Sequence, residues 1–324
     1  MKTIELSVVV PVFREEEIIG EFHRRLNAVL ETTGLAFEIL YVDDQSDGPT
    51  VTLLKKIADG DGRVKVVSLS RNFGHQVALT AGIDLARGAA VVMLDGDLQH
   101  PPELIPTLIG KWREGYDIVY TIRQETKGIS PMRRSASRLF YALMTRITEV
   151  DMDIHCADFR LMSRRAVEGF KQVRESARFI RGIVGWMGYR KIGIPFTSTE
   201  RERGRSKYSP RKLFKFALDG ILSFSVVPIR MISLVGLAVS GISFLYFLRI
   251  LYYVFFSQQR SPANLPTLTL ILFVSGIQLV MMGVLGEYLG QVFTETKNRP
   301  LYLVDEIYFS GEADGDSSPS GPAS

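Results

Sequence analysis

With 324 residues, 46% of them hydrophobic, the chain has room for one catalytic domain of ordinary size plus an appendage, which excludes a scaffold too small to bury its own core. A formal net charge of +4 is too mild for a dedicated nucleic-acid binder and suits phosphate ligands or an anionic membrane surface. The single cysteine, Cys156, excludes an intrachain disulfide and a cysteine-rich metal site and favours a reducing compartment.

From Met1 the chain runs directly into an apolar strand pattern, so no signal peptide is expected. Short β-branched runs at residues 6–12, 37–42, 64–69, 89–94 and 117–121 read as strands. Most are apolar on both faces, the pattern of strands covered from both sides. The intervening stretches 18–31, 76–86 and 102–114 carry helical periodicity and suit crossover helices. The expected fold is therefore α/β, a mostly parallel sheet with helices on both faces. In such sheets ligands sit beyond the carboxyl ends of the strands, which is where Asp43-Asp44 and Asp95-Gly96-Asp97 fall.

After this domain, expected over residues 1–208, the charge and hydropathy change character. Seven Lys or Arg lie between Arg201 and Lys215 against the single acid Glu202. In residues 209–225, Leu213, Phe216, Ala217, Ile221 and Phe224 share one helical face while Arg211, Lys215 and Asp219 line the other, the pattern of a helix lying in a membrane interface against lipid headgroups. Residues 226–256 and 265–289 read as two transmembrane helices. The first contains 18 uncharged residues from Met231 to Leu248, about 27 Å of helix. Basic residues flank the pair on its outer ends and the connecting loop carries only Arg260. The positive-inside rule then places the catalytic domain and both termini on the cytoplasmic side of the plasma (inner) membrane. Gly236, Gly241, Gly276, Gly283 and Gly286 permit close helix approach, which leaves a homo-oligomer open. Residues 290–309 are expected to form a cytoplasmic segment, and residues 310–324, rich in Gly, Ser, Pro and Asp, a disordered tail.

The strongest local signal for chemistry is Asp95-Gly96-Asp97-Leu98-Gln99-His100-Pro101-Pro102. Two carboxylates separated by glycine at a strand end can hold a hard divalent cation, and the glycine lets the backbone approach a diphosphate. Mg²⁺ or Mn²⁺ is the expected ion. The histidines show no metal-ligand spacing, and His75 and His100, which border the same loops, are expected to be structural or to support the residues that touch the ligand. Arg123, Arg133, Arg134, Arg201 and Lys207 are candidates for sharing diphosphate charge.

Taken together, Pro11-Val12-Phe13-Arg14-Glu15, Val42-Asp43-Asp44-Gln45-Ser46-Asp47 and Ser70-Arg71-Asn72-Phe73-Gly74 resemble the family 2 glycosyltransferases of GT-A fold. Asp95 to Glu103, Asp158-Phe159-Arg160-Leu161-Met162 and Arg201-Glu202-Arg203-Gly204-Arg205-Ser206-Lys207-Tyr208 narrow the resemblance to the polyprenyl-phosphate hexosyltransferases. The resemblance implies that Pro11, Phe13, Glu15, Asp43 and Asp44 bind the nucleotide and that Asp95, Asp97 and Gln99 bind or adjoin the metal. It places Asp158 and Arg160 at the reacting centre, and Arg123, Arg133, Arg201 and Lys207 at the diphosphate or acceptor phosphate.

The implied partners are a nucleotide-sugar donor, a polyprenyl phosphate acceptor and membrane lipids. The stretch Arg178-Phe179-Ile180-Arg181-Gly182-Ile183-Val184-Gly185-Trp186 resembles the glucosyl branch and points to UDP-glucose, with GDP-mannose, UDP-N-acetylhexosamine and a UDP-aminoarabinose derivative as the alternatives. A processive polysaccharide synthase would carry a Gln-x-x-Arg-Trp motif, which is missing. A tethered nucleotide-binding protein without catalysis would have a damaged metal or acceptor site, yet Asp95, Asp97, Asp158 and Lys207 are in place.

Overall fold

The computed structural model describes residues 3–46, 48–124, 156–197, 227–256 and 265–310. In chain order its elements are β1 (Leu6–Val12), α1 (Ile19–Thr33), β2 (Phe37–Asp43), α2 (Pro49–Gly60), β3 (Val64–Leu69), α3 (His75–Leu85) and β4 (Ala90–Met93). A 3-10 turn at Pro102–Leu104 leads into α4 (Ile105–Arg113) and β5 (Ile118–Gln124). There follow β6 (Cys156–Ser163), α5 (Arg164–Gln172), α6 (Ile180–Trp186), β7 (Lys191–Thr197), α7 (Val227–Phe256), α8 (Leu265–Thr296) and β8 (Val304–Tyr308). The chain divides into two compact units: the sheet and its helices, together with the segment from Pro300, and a second unit holding α7 and α8.

Eight strands form one sheet in the order β7-β5-β6-β4-β1-β2-β3-β8. The pairs β1/β2, β1/β4, β2/β3 and β5/β7 are parallel. β6 runs antiparallel to both β4 and β5, and β8 runs antiparallel to β3. The sheet, expected to be mostly parallel, is mixed, with four parallel and three antiparallel pairs. Its parallel half matches the repeated strand–helix pattern, and its antiparallel members are strands that pattern did not mark.

Every residue of β1 and β2 is buried, because helices cover both faces. On one face Leu6, Val8, Val10 and Val12 pack with Phe22, Leu26 and Leu30 of α1, Leu54 of α2 and Leu108 of α4 in a continuous apolar core. On the other, α3 presses so close that a Cβ on Gly82 would lie 2.2 Å from Val9 Cγ1; only glycine fits there. Local chemistry sets the element ends. Gly34 closes α1 in the left-handed region at φ 67°, and Ser163 caps α5, its hydroxyl accepting from the Ala166 amide at 3.2 Å.

The last strand is the least local. β8 pairs with the outer edge of β3, Lys55 meets Glu306 at 2.7 Å, and the Tyr308 hydroxyl donates to Asp59 at 2.6 Å. It covers backbone groups of β3 that would otherwise form an open edge.

In the second unit α7 has 30 residues and α8 has 32. Among the described residues one segment, Phe273–Thr296, is long and apolar enough to cross a membrane; in α7 the apolar stretch is the shorter Leu234–Tyr246. Leu237, Leu279 and Leu289 expose most of their side chains. A Cβ on Gly236 would lie 3.0 Å from Met281 Cε, so this glycine does sit at a close helix contact. The expected interfacial helix at 209–225 and the tail from 311 lie outside the described residues.

Candidate active site

Strand direction assembles the site. Because β1, β2 and β4 are parallel, the loops carrying Phe13 to Glu15, Asp43 to Ser46 and Asp95 to His100 leave the sheet at the same edge. β6 is antiparallel to β4 with Arg160 opposite Met93, so Asp158, two residues earlier, lies at that edge too. β5 runs antiparallel to β6, which delivers Arg123 there as well. Three non-glycine residues in these loops, Arg14, Gln45 and Leu98, adopt left-handed φ of 56° to 60°. Such strain persists only where surrounding contacts enforce it.

The first two loops are tied together. The Arg14 amide donates to Ser46 Oγ at 3.0 Å, and the Ser46 amide lies 3.1 Å from both carboxylate oxygens of Asp43. Neighbouring residues of extended chain point to opposite sides, and Asp44 accordingly turns elsewhere. It accepts from the amides of Phe73 at 2.7 Å and Gly74 at 2.9 Å. With both oxygens so engaged, Asp44 is a buried strut under the 72–74 loop, while Asp43 sits at the turn beside Phe13. Pro11 is buried in β1. The Arg14 guanidinium lies 5.1 Å from the centre of the half-buried Phe13 ring, and the Glu15 carbonyl accepts from the Ile18 and Ile19 amides as α1 begins.

At the loop after β4, Asp95, Asp97 and His100 each offer a ligand atom within 4.8 Å of one another. His100 Nδ1 lies 3.4 Å from Asp95 Oδ2, with its ring 5.7 Å from that of Phe159 and 5.9 Å from that of Phe196. His100 stands with the two aspartates as a third group able to hold an ion, a place that its spacing in the sequence did not mark. The spacing was unreadable because the three donors lie on an irregular loop turned by Leu98, not on a helix face. Gln99, the third residue expected at the metal, instead accepts from Arg123 Nη2 at 2.9 Å, and its amide donates to Asp97 Oδ1 at 3.1 Å. Carboxylate oxygens and one imidazole make a donor set that fits Mn²⁺ or Mg²⁺.

His75, the first residue of α3, places Nε2 2.6 Å from Asp95 Oδ1. Burial works against a charged His75 imidazole, but the hydrogen bond and the charges of Asp95 and Asp158 prevail and raise it above its usual value. Burial likewise disfavours the Asp95 charge, and His75 and His100 outweigh it, holding that carboxyl below its usual range.

Asp158 lies between two guanidiniums. Arg181 donates Nε to Oδ1 and Nη2 to Oδ2, both at 3.0 Å, and Arg160 Nη2 reaches Oδ1 at 3.3 Å. Arg181 is held in place by α3, whose Gln76 Oε1 accepts from the Ile180 amide at 3.1 Å and whose Thr80 hydroxyl accepts from Arg178 Nε at 3.3 Å. Burial pushes the Asp158 carboxyl up; the charges and hydrogen bonds of Arg181 and Arg160 overcome this and hold it far below the usual carboxylate range. His75 and Arg181 were not among the expected site residues, although both stand within or directly after stretches that carried the resemblance. Arg133, Arg201 and Lys207 lie outside the described residues.

Residues 7–170 match the family described as Glycosyl transferase family 2. The chain belongs to that family. It is 40% identical over 305 residues to the uncharacterized glycosyltransferase YkcC of Bacillus subtilis, covering 94% of each chain. To the SfII prophage-derived bactoprenol glucosyl transferase of Shigella flexneri it is 40% identical over 307 residues, 94% of this chain and 99% of the relative. A prophage bactoprenol glucosyl transferase homolog of Escherichia coli K12 is 37% identical over 306 residues, covering 94% of this chain and 99% of that one. As a family 2 glycosyltransferase the chain is a sugar-transferring enzyme, and the mixed sheet with carboxylates at its edge is the scaffold on which it works.

Proposed function

We propose that this glycosyltransferase moves glucose from UDP-glucose to a polyprenyl phosphate, with inversion at the sugar carbon, at the cytoplasmic face of the plasma membrane. The observation that carries the reading is the meeting of two groups at one sheet edge: the Asp95–Asp97–His100 cluster and an Asp158 clamped by arginines. The first suits a sugar diphosphate. The second suits a reaction that asks for orientation and no strong base. The bactoprenol glucosyl transferases that match the chain over nearly their full length support the acceptor and the sugar.

The chemistry follows from the nucleophile. A phosphomonoester has its second pKa near 6, so the lipid phosphate oxygen is already anionic near neutral pH. Transfer then depends on alignment and on stabilising the departing diphosphate, and one in-line displacement is sufficient. Asp95, Asp97 and His100 would hold Mg²⁺ or Mn²⁺, whose contribution is to neutralise diphosphate charge. Asp43 and Phe13, at the turn where the first two loops join, suit the nucleoside. Arg123 is positioned by Gln99 beside the acidic cluster and can meet a phosphate, as can Arg133, Arg201 and Lys207. Asp158, kept ionised, accepts a hydrogen bond from a sugar hydroxyl.

The membrane address rests on α7 and α8 as a two-span hairpin, with the basic segment from Arg201 to Lys215 meeting anionic headgroups. A panel of nucleotide sugars tests the donor: nucleoside diphosphate release is measured with and without added polyprenyl phosphate and divalent cation. UDP-glucose should be consumed fastest, and only when lipid phosphate and cation are both present. Preference for GDP-mannose or a UDP-aminosugar would replace the donor, and release independent of lipid phosphate would replace the acceptor.

A further inference from the structure

The two arginines on Asp158 are not equivalent. Alternation along β6 sends Phe159 into the apolar core and puts Asp158 and Arg160 on the same face. Arg160 is completely buried and divides its Nη2 between the Ala157 carbonyl at 3.1 Å and Asp158 at 3.3 Å; it is part of the floor. Arg181 comes from another element, keeps 37% of its side chain exposed, and takes both carboxylate oxygens in one fork. Two parallel N–H bonds from a rigid guanidinium fix the rotation of a carboxylate, which a single bond leaves free.

We propose that Arg181 is a positioning residue that locks Asp158 as a fixed, acceptor-only carboxylate, so that Asp158 orients a hydroxyl of the transferred hexose and does not take a proton. This rests on the transfer reading above and adds to it a residue and a role. Three features support it. A carboxylate flanked by two guanidiniums is a weak base. The proposed acceptor brings its own anionic oxygen and needs no deprotonation. The edge also collects Asp95, Asp97 and Asp158, so a donor diphosphate could approach only if these charges are offset; Arg181 and Arg160 offset that of Asp158 locally, leaving Asp95 and Asp97 to the cation.

The test is a double-mutant cycle on the full chain in nanodiscs, with Arg181→Met, Arg181→Lys, Asp158→Asn and the pair Arg181→Met/Asp158→Asn. Three quantities are read: kcat and donor KM from the rate of nucleoside diphosphate release, and UDP affinity in the presence of Mn²⁺. Arg181→Met should lower kcat by about 30- to 100-fold while UDP affinity stays within about threefold, the pattern of an interaction made in the transition state. Arg181→Lys, keeping charge without the fork, should recover about three- to tenfold of that loss. The pair should be no slower than the slower single variant within about threefold, because both changes remove one interaction.

Turnover of Arg181→Met within about threefold of the parent overturns the proposal. So do losses that multiply in the pair, and so does a loss confined to KM and UDP affinity, which would make Arg181 a ligand of the diphosphate. If Arg181→Met no longer binds UDP because the fold is lost, the cycle is run with Arg181→Lys, which should slow the parent and leave Asp158→Asn unchanged. Failure of the transfer reading is seen separately, as a parent enzyme that consumes donor without forming lipid-linked sugar.

Discussion

His75 Nε2 lies 2.6 Å from Asp95 Oδ1, a contact that joins the first turn of α3 to the acidic loop after β4. It fixes which way the Asp95 carboxylate faces. Partners of this kind, one step removed from a metal, typically change affinity by about 10- to 100-fold. His75→Ala is therefore expected to weaken Mn²⁺ affinity by about tenfold, read by titrating Mn²⁺ into the UDP-bound enzyme. Unchanged affinity would show that Asp95 needs no such support.

The same titration separates Gln99 from His100. His100 belongs to the group with Asp95 and Asp97, while Gln99 is engaged by Arg123. His100→Gln should cost at least about tenfold in Mn²⁺ affinity, on the scale of losing one contributor to a metal site. Gln99→Ala should leave that affinity nearly intact and raise donor KM through a misplaced Arg123. The reverse order would return Gln99 to the metal.

Asp44 offers a prediction about stability. It is 3% exposed and accepts from two loop amides. Replacing it with alanine strands those donors, at a cost of about 1–3 kcal/mol. Denaturant unfolding of Asp44→Ala should show that loss together with weaker UDP binding, since the 72–74 loop is released. A variant as stable as the parent would mean that the loop holds itself.

Asp158 predicts a pH profile. Its folded carboxyl is held well below the ordinary value of 3.8, so the stability it contributes is fully present above that value and is lost as pH falls through the folded pKa. The melting-temperature gap between the parent and Asp158→Asn should stay constant from about pH 7 to pH 5 and start to close only below about pH 4. A gap that already changes between pH 7 and 5 would place the folded carboxyl above its usual range and contradict this.

β8 predicts a role for the end of the chain. Its four paired positions on β3 represent about 2–4 kcal/mol at about 1 kcal/mol for each backbone hydrogen bond. Ending the chain at Leu303 should lower stability by that amount and expose the β3 edge to self-association, visible by light scattering. A monodisperse, equally stable truncated protein would contradict this.

Much of the parallel half was legible because β1, β4 and α1 obey simple rules: buried strands are almost continuously apolar, and a covered helix shows a 3.6-residue period. β6 broke the rule. Asp158-Phe159-Arg160-Leu161-Met162 alternates charged and apolar residues, which ordinarily marks one face as solvated, yet Arg160 is fully buried. Short and acidic, β8 lay in the segment 290–309 without a strand pattern, and its partners lie as far as 251 positions away in sequence, beyond any local signal. At the site, residue types revealed the acidic loop, but adjacency could not divide the work of Asp43 and Asp44. Nor could it bring Arg181 to Asp158, which needed both the antiparallel course of β6 and the packing of residues 178–180 on α3.

The most direct measurement follows labelled sugar from UDP-glucose into the lipid phase, with the enzyme in nanodiscs containing polyprenyl phosphate and Mn²⁺, and determines the anomeric configuration of the product. Lipid-linked glucose of inverted configuration is expected, abolished by a chelator and restored by Mn²⁺. Label that stays water-soluble while UDP accumulates, or a lipid product of retained configuration, would contradict it.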